Sequence, residues 1–449
     1  MSARAWLAAV LLGTCGCAVD EDAEVATYRE ILDDGLQGRA LPADGAPLDV
    51  VDAMVLANLR NERLGLEGEA YLQALIERRR AVASFLPTLS VAAVFEREED
   101  TGDRDARTVD VPAVGGLALS PVRDVAALGA AGAFADERRH LLLAAQDALL
   151  IDVARTHYEV LRAERAVGVL ENALRVQEAR VLDAQGRLDA GLIRPLDVSQ
   201  SRAQAARTSG ELVAARARVR TARSLLGFLT AVPLDGRPLR DTLAPPAELP
   251  GLEALVAESE RRNPRIAAAR RRIEAAAKAV ESAYGQYFPA VFADLQVFLR
   301  RESEPSNVDW TSLIRVSLPL FSAGLIEADV REALSRLRQA KLAESLARRD
   351  ARRQVETARV DVEAAARRAA ELRTEVDAAR LALEQAEGLY QAGFATNLER
   401  LAAQDQLLSA ELLLVEAELD RKIRWLELRR AAGGLHDLPG LRRRVGEDP

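Results

Sequence analysis

The chain is predicted to be mainly α-helical with a small β part, as an internally duplicated unit of long coiled helical hairpins and membrane-length β-hairpins. Three observations carry this. Two distant motifs recur at a single offset of 202 residues, long stretches hold a 4-3 apolar spacing with no turn signal, and short runs alternate apolar and polar residues.

The repeat comes first because it fixes the architecture. Leu188 to Asp197 (LDAGLIRPLD) aligns with Tyr390 to Glu399 (YQAGFATNLE), and Phe85-Leu86-Pro87 aligns with Tyr287-Phe288-Pro289 at the same offset. Between these anchors, Leu170, Leu174, Gln177, Val181, Ala184 and Leu188 correspond to Leu372, Val376, Ala379, Leu383, Ala386 and Tyr390. A 4-3 spacing marks a seam where one helix packs on another with knobs into holes. Leu408, Leu412, Val415, Leu419 and Leu426 supply a partner series beyond Gly393.

From about Ile326 to Gly388 there is neither proline nor turn cluster, so a helix of ~60 residues, roughly 90 Å, is predicted, with an equivalent from about Val125 to Gly186. Glu327 with Arg331, Glu332 with Arg336 and Glu344 with Arg348 sit four apart and suit an exposed helical face. After Gly191 and Gly393 the chain reverses into a shorter antiparallel helix, because glycine followed by Pro195, or by Thr396-Asn397, gives helix-stop and helix-start chemistry in succession.

The strands precede these hairpins. Val291, Ala293, Leu295, Val297 and Leu299 alternate with Phe292, Asp294, Gln296 and Phe298, and a return run follows from Trp310 to Leu318. The first half repeats the plan through Leu89, Val91, Ala93 and Phe95, a charged turn from Glu96 to Arg107, and a return through Leu117 and Leu119. A membrane strand needs ~9 to 11 residues, which each run approaches. Two hairpins make four strands, too few to close a barrel, so in lipid the sheet must be completed by other copies of the chain. The other reading of these runs is a small soluble sheet capping a coiled coil.

Composition narrows the function. Of 449 residues, 4% are aromatic and 29% charged, and the net charge is -8 with arginines interleaved among acids, which excludes a nucleic-acid binder. Arg4, the apolar run Trp6 to Leu12 and the small residues after it read as a secretion signal over 1–17. Cys15 and Cys17 are the chain's cysteines, so a disulfide framework or a cysteine metal site is excluded. Gly16 before Cys17 is similar to the bacterial lipoprotein pattern, making Cys17 the expected lipidation site; Thr14 before Cys15 fits it poorly, and an ordinary cleaved signal is the alternative. His140, His157 and His436 show no ligand spacing, and no nucleophile elbow, phosphate loop or zinc motif is present, so neither an enzyme nor a cofactor is expected. A polar tether is expected over 18–50, the first repeat over 51–250 with its β-hairpin at about 87–120, the second over 251–433 with its β-hairpin at about 289–319, and a disordered tail over 434–449.

Asn263-Pro264, Tyr287-Phe288-Pro289, Ser317-Leu318-Pro319-Leu320-Phe321 with Gly324, and Tyr390 to Glu399, in that order and partly twice over, resemble the TolC-like outer membrane efflux proteins, in their lipoprotein subgroup. The resemblance runs from about Val51 to Gly433. It implies a homotrimeric α/β barrel channel in the cell outer membrane, continuing into the periplasm as a helical tunnel. It further implies a periplasmic adaptor and an inner-membrane pump as partners, with the channel a passive conduit for efflux or type I export. Asn61-Glu62 in place of Asn263-Pro264, and Ser120-Pro121-Val122-Arg123 in place of the Pro-Leu-Phe strand end, depart from the pattern and predict an irregular first hairpin.

The resemblance also implies that the hairpin tips at Gly191 and Gly393 are the periplasmic ends, where the tunnel narrows. Asp197 and Glu399 match the family's acid six residues after the glycine, while Gln200 and Ala402 stand where a second acid is often found. In a trimer they would form an aperture ring of six carboxylates. At ~8 Å in water, neighbours repel by about 0.5 kcal/mol, less with salt, which tunes selectivity without sealing the pore. A second reading has both acids stabilise the first turn of the following helix. The rival from another class is a periplasmic adaptor or coiled-coil scaffold lipoprotein, which carries one helical hairpin rather than two preceded by strands.

Overall fold

The computed structural model describes residues 20–34, 45–99, 105–246, 248–303 and 305–438. The described residues form two compact units: those within 20–30, 66–142 and 265–347 make the first, and those within 31–65, 143–264 and 348–438 the second. Two long helices, α4 (Pro121–Asp189) and α8 (Leu325–Gln391), contribute to both. At 69 and 67 residues they are the uninterrupted helices that the sequence predicts.

The first unit carries the strands β1 (Thr88–Val91), β2 (Val94–Glu99), β3 (Asp105–Leu119), β4 (Ala290–Arg300) and β5 (Trp310–Ser317). The sheet order is β1-β3-β4-β5, with β2 also on β3, and every pairing is antiparallel. The hairpins of the two repeats therefore join side by side through β3 and β4, leaving the far edges of β1 and β5 unpaired among the described residues. The first hairpin is irregular at Pro112, and not at Asn61-Glu62 or Ser120-Pro121-Val122-Arg123, the departures from which the sequence predicts irregularity. The Pro112 carbonyl accepts the Ala92 N–H at 3.1 Å, but proline returns no N–H, so the ladder opposite it breaks into β1 and β2 while the register continues on both sides. A bulge between Val111 and Pro112 shifts the register against β4 at the same level.

Register sorts the side chains by face. On one face run the rows Leu119–Val291–Val316, Leu117–Ala293–Ile314 and Val91–Ala113–Val297–Trp310; on the other run Thr88–Gly116–Asp294–Leu313 and Ser90–Val114–Gln296–Thr311. The apolar face is bare: Ile314 is 75% exposed, Val316 65% and Trp310 60%. In water such a face is strongly unfavourable, at about 25 cal/mol per Å² of apolar surface.

The helices of this unit are α1 (Glu21–Asp33, continuing into the second unit), α3 (Glu62–Ala83), α7 (Pro264–Gly285) and the sheet-proximal parts of α4 and α8. A small core of Ala283, Val330 and Ala333 joins α7 to α8. Glu327–Arg331 at 2.7 Å and Glu332–Arg336 at 2.5 Å form as predicted, and Glu344 lies 3.9 Å from Arg270 of α7. The stretch expected as a tether holds α1: Asp20 caps it through the Ala23 N–H at 3.2 Å, and Tyr28 lies flat against Gly68, where any Cβ would strike the ring. An apolar Tyr28 and Leu32 one turn apart give this otherwise polar segment a face to bury.

In the second unit, α5 (Pro195–Thr230) returns along α4, and α9 (Asn397–Ala431) returns along α8. The predicted seams are buried or half-buried: Leu170, Gln177 and Ala184 on α4, and Leu372, Val376 and Ala379 on α8, are each below 9% exposure. Leu170, Leu212, Ala215 and Leu408 form one core, and Ala369, Leu372 and Ala417 another. The short helices α2 (Val50–Arg60) and α6 (Leu252–Arg262) occupy equivalent places in the two repeats. Asn61 and Asn263 end them, so Asn61-Glu62 does the work of Asn263-Pro264. The segment expected as a tail starts ordered: Leu435–Asp437 form a 3-10 turn, and Asp437 accepts from Arg262 at 2.5 Å and Arg429 at 2.8 Å. Two arginines within reach of one carboxylate pin that turn. Cys15, Cys17 and the signal segment lie outside the described residues.

Candidate functional site

The hairpin tips are built twice by the same local chemistry. After α4, Gly191 takes φ +74, its N–H reaching Leu188 O at 2.9 Å and the Leu192 N–H reaching Arg187 O at 2.8 Å. After α8, Gly393 takes φ +80, its N–H reaching Tyr390 O at 3.1 Å and the Phe394 N–H reaching Leu389 O at 2.8 Å. A left-handed residue that closes the last carbonyls is easiest for glycine. The following residues, Leu192 and Phe394, stand 74% and 84% exposed at the two tips.

Asp197 and Glu399 both occupy the third position of their helices, where a carboxylate closes a capping box. Asp197 accepts the Arg194 N–H at 3.2 Å, with the Arg194 guanidinium 3.5 Å away, and is 8% exposed. Glu399 accepts the Thr396 N–H at 2.6 Å and its hydroxyl at 2.9 Å, and these two bonds hold its carboxyl below the usual range. Unlike Asp197, Glu399 is exposed and carries no ion pair among the described residues. The two acids are thus alike as caps and unlike as charges.

Above the tips lies a polar cluster that the repeat does not announce. Glu387 of α8 lies 2.6 Å from Arg180 of α4 and 3.7 Å from Arg400 of α9. Arg180 also donates to Gln404 Oε1, and Arg400 donates to Asn397 Oδ1 at 2.8 Å while its guanidinium sits 4.2 Å over the Tyr390 ring. Asn397 in turn donates to the Asp197 carbonyl at 3.1 Å, so the α8/α9 tip is tied to the α4/α5 tip. Burial pulls Arg180 below the usual guanidinium range, Glu387 opposes the shift and Arg400 adds to it. Arg400 is 2% exposed, so one half-buried carboxylate serves two cations.

In the first repeat the positions matching Glu387 and Arg400 are Gln185 and Val198. An arginine standing where its repeat partner is a 3% exposed valine was the available signal that this cation is buried. Among the described residues no group of three or more His, Cys, Asp or Glu side chains is arranged to hold a metal ion. No described helix is long and apolar enough to cross a membrane.

Residues 255–434 match the outer membrane efflux protein family. Over 293 residues the chain is 26% identical to the outer membrane efflux protein BepC of Brucella suis biovar 1 (strain 1330), covering 63% of each chain, so the match spans under two thirds of that relative. Two solved channels share the fold. The outer-membrane channel OprN superposes with a TM-score of 0.77 at 21% identity, covering 91% of this chain and 92% of that one. The outer membrane protein VceC of Vibrio cholerae superposes at 0.75 with 22% identity, covering 86% and 96%.

Proposed function

From an outer membrane efflux protein domain over residues 255–434 and the fold of the TolC-like channels over nearly the whole chain, we propose that this protein is an outer membrane channel, the outer membrane factor of a tripartite efflux or type I export system. The observation that carries the reading is a four-stranded antiparallel ribbon with a bare apolar face and two edges unpaired among the described residues, in a chain that also holds two long helical hairpins. Lipid covers such a face, and further copies satisfy the edges. Three copies give a twelve-stranded barrel, with β5 of one beside β1 of the next. The channel is a passive conduit with no chemistry of its own, and an inner-membrane pump acting through a periplasmic adaptor supplies the energy. Leu192 and Phe394 offer the adaptor an apolar foothold at the tips.

The aperture belongs to the same proposal, with unequal parts for the two acids. Glu399 presents a free charge to the entrance, whereas Asp197, buried beside Arg194, acts first as a helix cap. Lipidation of Cys17 is supported by α1. Its Glu24 lies 3.7 Å from Arg79, nine residues before β1, and Cys17 precedes α1 by four residues, at most about 14 Å of chain. The acyl chains would then enter the leaflet at the foot of the barrel.

Membrane fractionation separates this reading from a periplasmic adaptor or scaffold. The channel reading expects the protein in the outer membrane and, after cross-linking, co-purification of an adaptor that Phe394→Asp with Leu192→Asp abolishes. Recovery in the inner membrane would overturn it.

A further inference from the structure

The polar face of the sheet carries a pattern that neither the family nor the helical tips explain. In its fully paired rows the charged residues are Asp294 on β4 and Arg315 on β5. Arg315 stands opposite Phe292, one row below the row of Asp294 and Leu313. Diagonal neighbours on one face are ~7 to 8 Å apart, close enough for an arginine and an aspartate to pair.

They do not pair. The Arg315 guanidinium leans 5.6 Å over the Phe292 ring on the neighbouring strand. The Asp294 carboxylate leans the other way, over Gly116 of β3, with Oδ1 3.6 Å from where a Cβ on that glycine would lie. An aromatic shelf on one side and the space above a glycine on the other draw the two charges apart. Neither has an ion pair among the described residues.

We infer that Asp294 and Arg315 form a mixed-charge girdle inside the barrel, a specificity-determining belt in which opposite charges stay separate and offset each other's effect on permeant ions. The inference rests on the channel reading above, which turns the polar face to the lumen. Twelve strands spaced ~4.8 Å apart and tilted ~40° enclose a barrel of about 12 Å radius. Side chains on that wall lie within about one Debye length, ~8 Å, of the axis, so passing ions sense them. Three aspartates and three arginines sum to zero. The girdle by itself then favours neither sign, and it suits dipolar or zwitterionic solutes that can face both charges at once.

Reversal potentials in planar bilayers under a KCl gradient test this, with wild-type protein, Asp294→Asn, Arg315→Gln and the double variant, each also in a Glu399→Gln background that removes the aperture's unpaired charge. Asp294→Asn is expected to shift the potassium-to-chloride permeability ratio roughly two-fold toward chloride, and Arg315→Gln roughly two-fold toward potassium. The double variant is expected to return to the wild-type ratio. Single shifts that are absent in both backgrounds, or that run in the same direction, overturn the girdle. A purely structural role would lower the yield of assembled protein and leave the ratio in place. If the wild-type protein forms no pores, the channel reading fails instead.

Discussion

Glu387 is the residue whose removal is most informative, because it serves two cations and has its own control in the sequence. Glu387→Gln leaves Arg400, with a 3% exposed side chain, without a carboxylate. Breaking a buried pair from one side costs ~3 to 5 kcal/mol, and the 27% exposure of the Glu387 side chain reduces this to about 2 kcal/mol. Arg400→Val alone removes the ring contact and the bond to Asn397 but leaves no buried cation at that position, and about 1 kcal/mol is expected. The double variant Glu387→Gln/Arg400→Val installs the first repeat's pair, Gln185 and Val198, and is expected to cost less than the two singles added together. Native-state hydrogen exchange over residues 385–404 reads the local opening directly, and 2 kcal/mol corresponds to a roughly thirty-fold loss of protection. Unchanged protection in Glu387→Gln, or strict additivity in the double variant, would refute the reasoning.

Two further outcomes follow from buried groups. His157 is fully buried, its Nε2 3.2 Å from Arg240 O, and burial lowers its pKa to about 4 despite that bond and the nearby Asp49, Asp241 and Asp52. The unfolded chain takes up the proton near 6.5 and the folded one only near 4, so stability falls as pH drops through that window, by up to about 3 kcal/mol. The stability difference between wild type and His157→Gln, followed by thermal unfolding, should therefore narrow by that amount from pH 7 to pH 4; a constant difference contradicts the assignment. Gly68→Ala should push Tyr28 off α3, and limited trypsin digestion should then cut at Arg29 at least tenfold faster, with no change meaning that α1 is held by other contacts.

The fold was legible where the sequence repeats itself. The offset that aligns Gly191 with Gly393 also aligns their positive φ angles and their last-turn hydrogen bonds, and the 4-3 series marked the buried stripe on the tip-proximal parts of the two long helices. What escaped lies where the repeats differ or where a side chain meets a distant element. Pro112 was visible as a residue, but its effect depends on which strand stands opposite. Tyr28 gave no sign of its role until Gly68 came beside it. Both acids after the tip glycines were placed on one helical position, yet their surroundings separate them: Asp197 is buried with the Arg194 guanidinium 3.5 Å away, and Glu399 stands in water with no cation beside it among the described residues. The Arg180–Glu387–Arg400 cluster escaped for the opposite reason: its members break the repeat, and only the burial of Val198 reveals what Arg400 must endure.

The central claim is that the ribbon is one third of a closed barrel. Native mass spectrometry of the detergent-extracted protein, on the same preparation that is reconstituted for conductance, tests it most directly. The account predicts a single species of three chains that carries ion-conducting activity. A stable monomer, or a trimer that forms no pore, would contradict it.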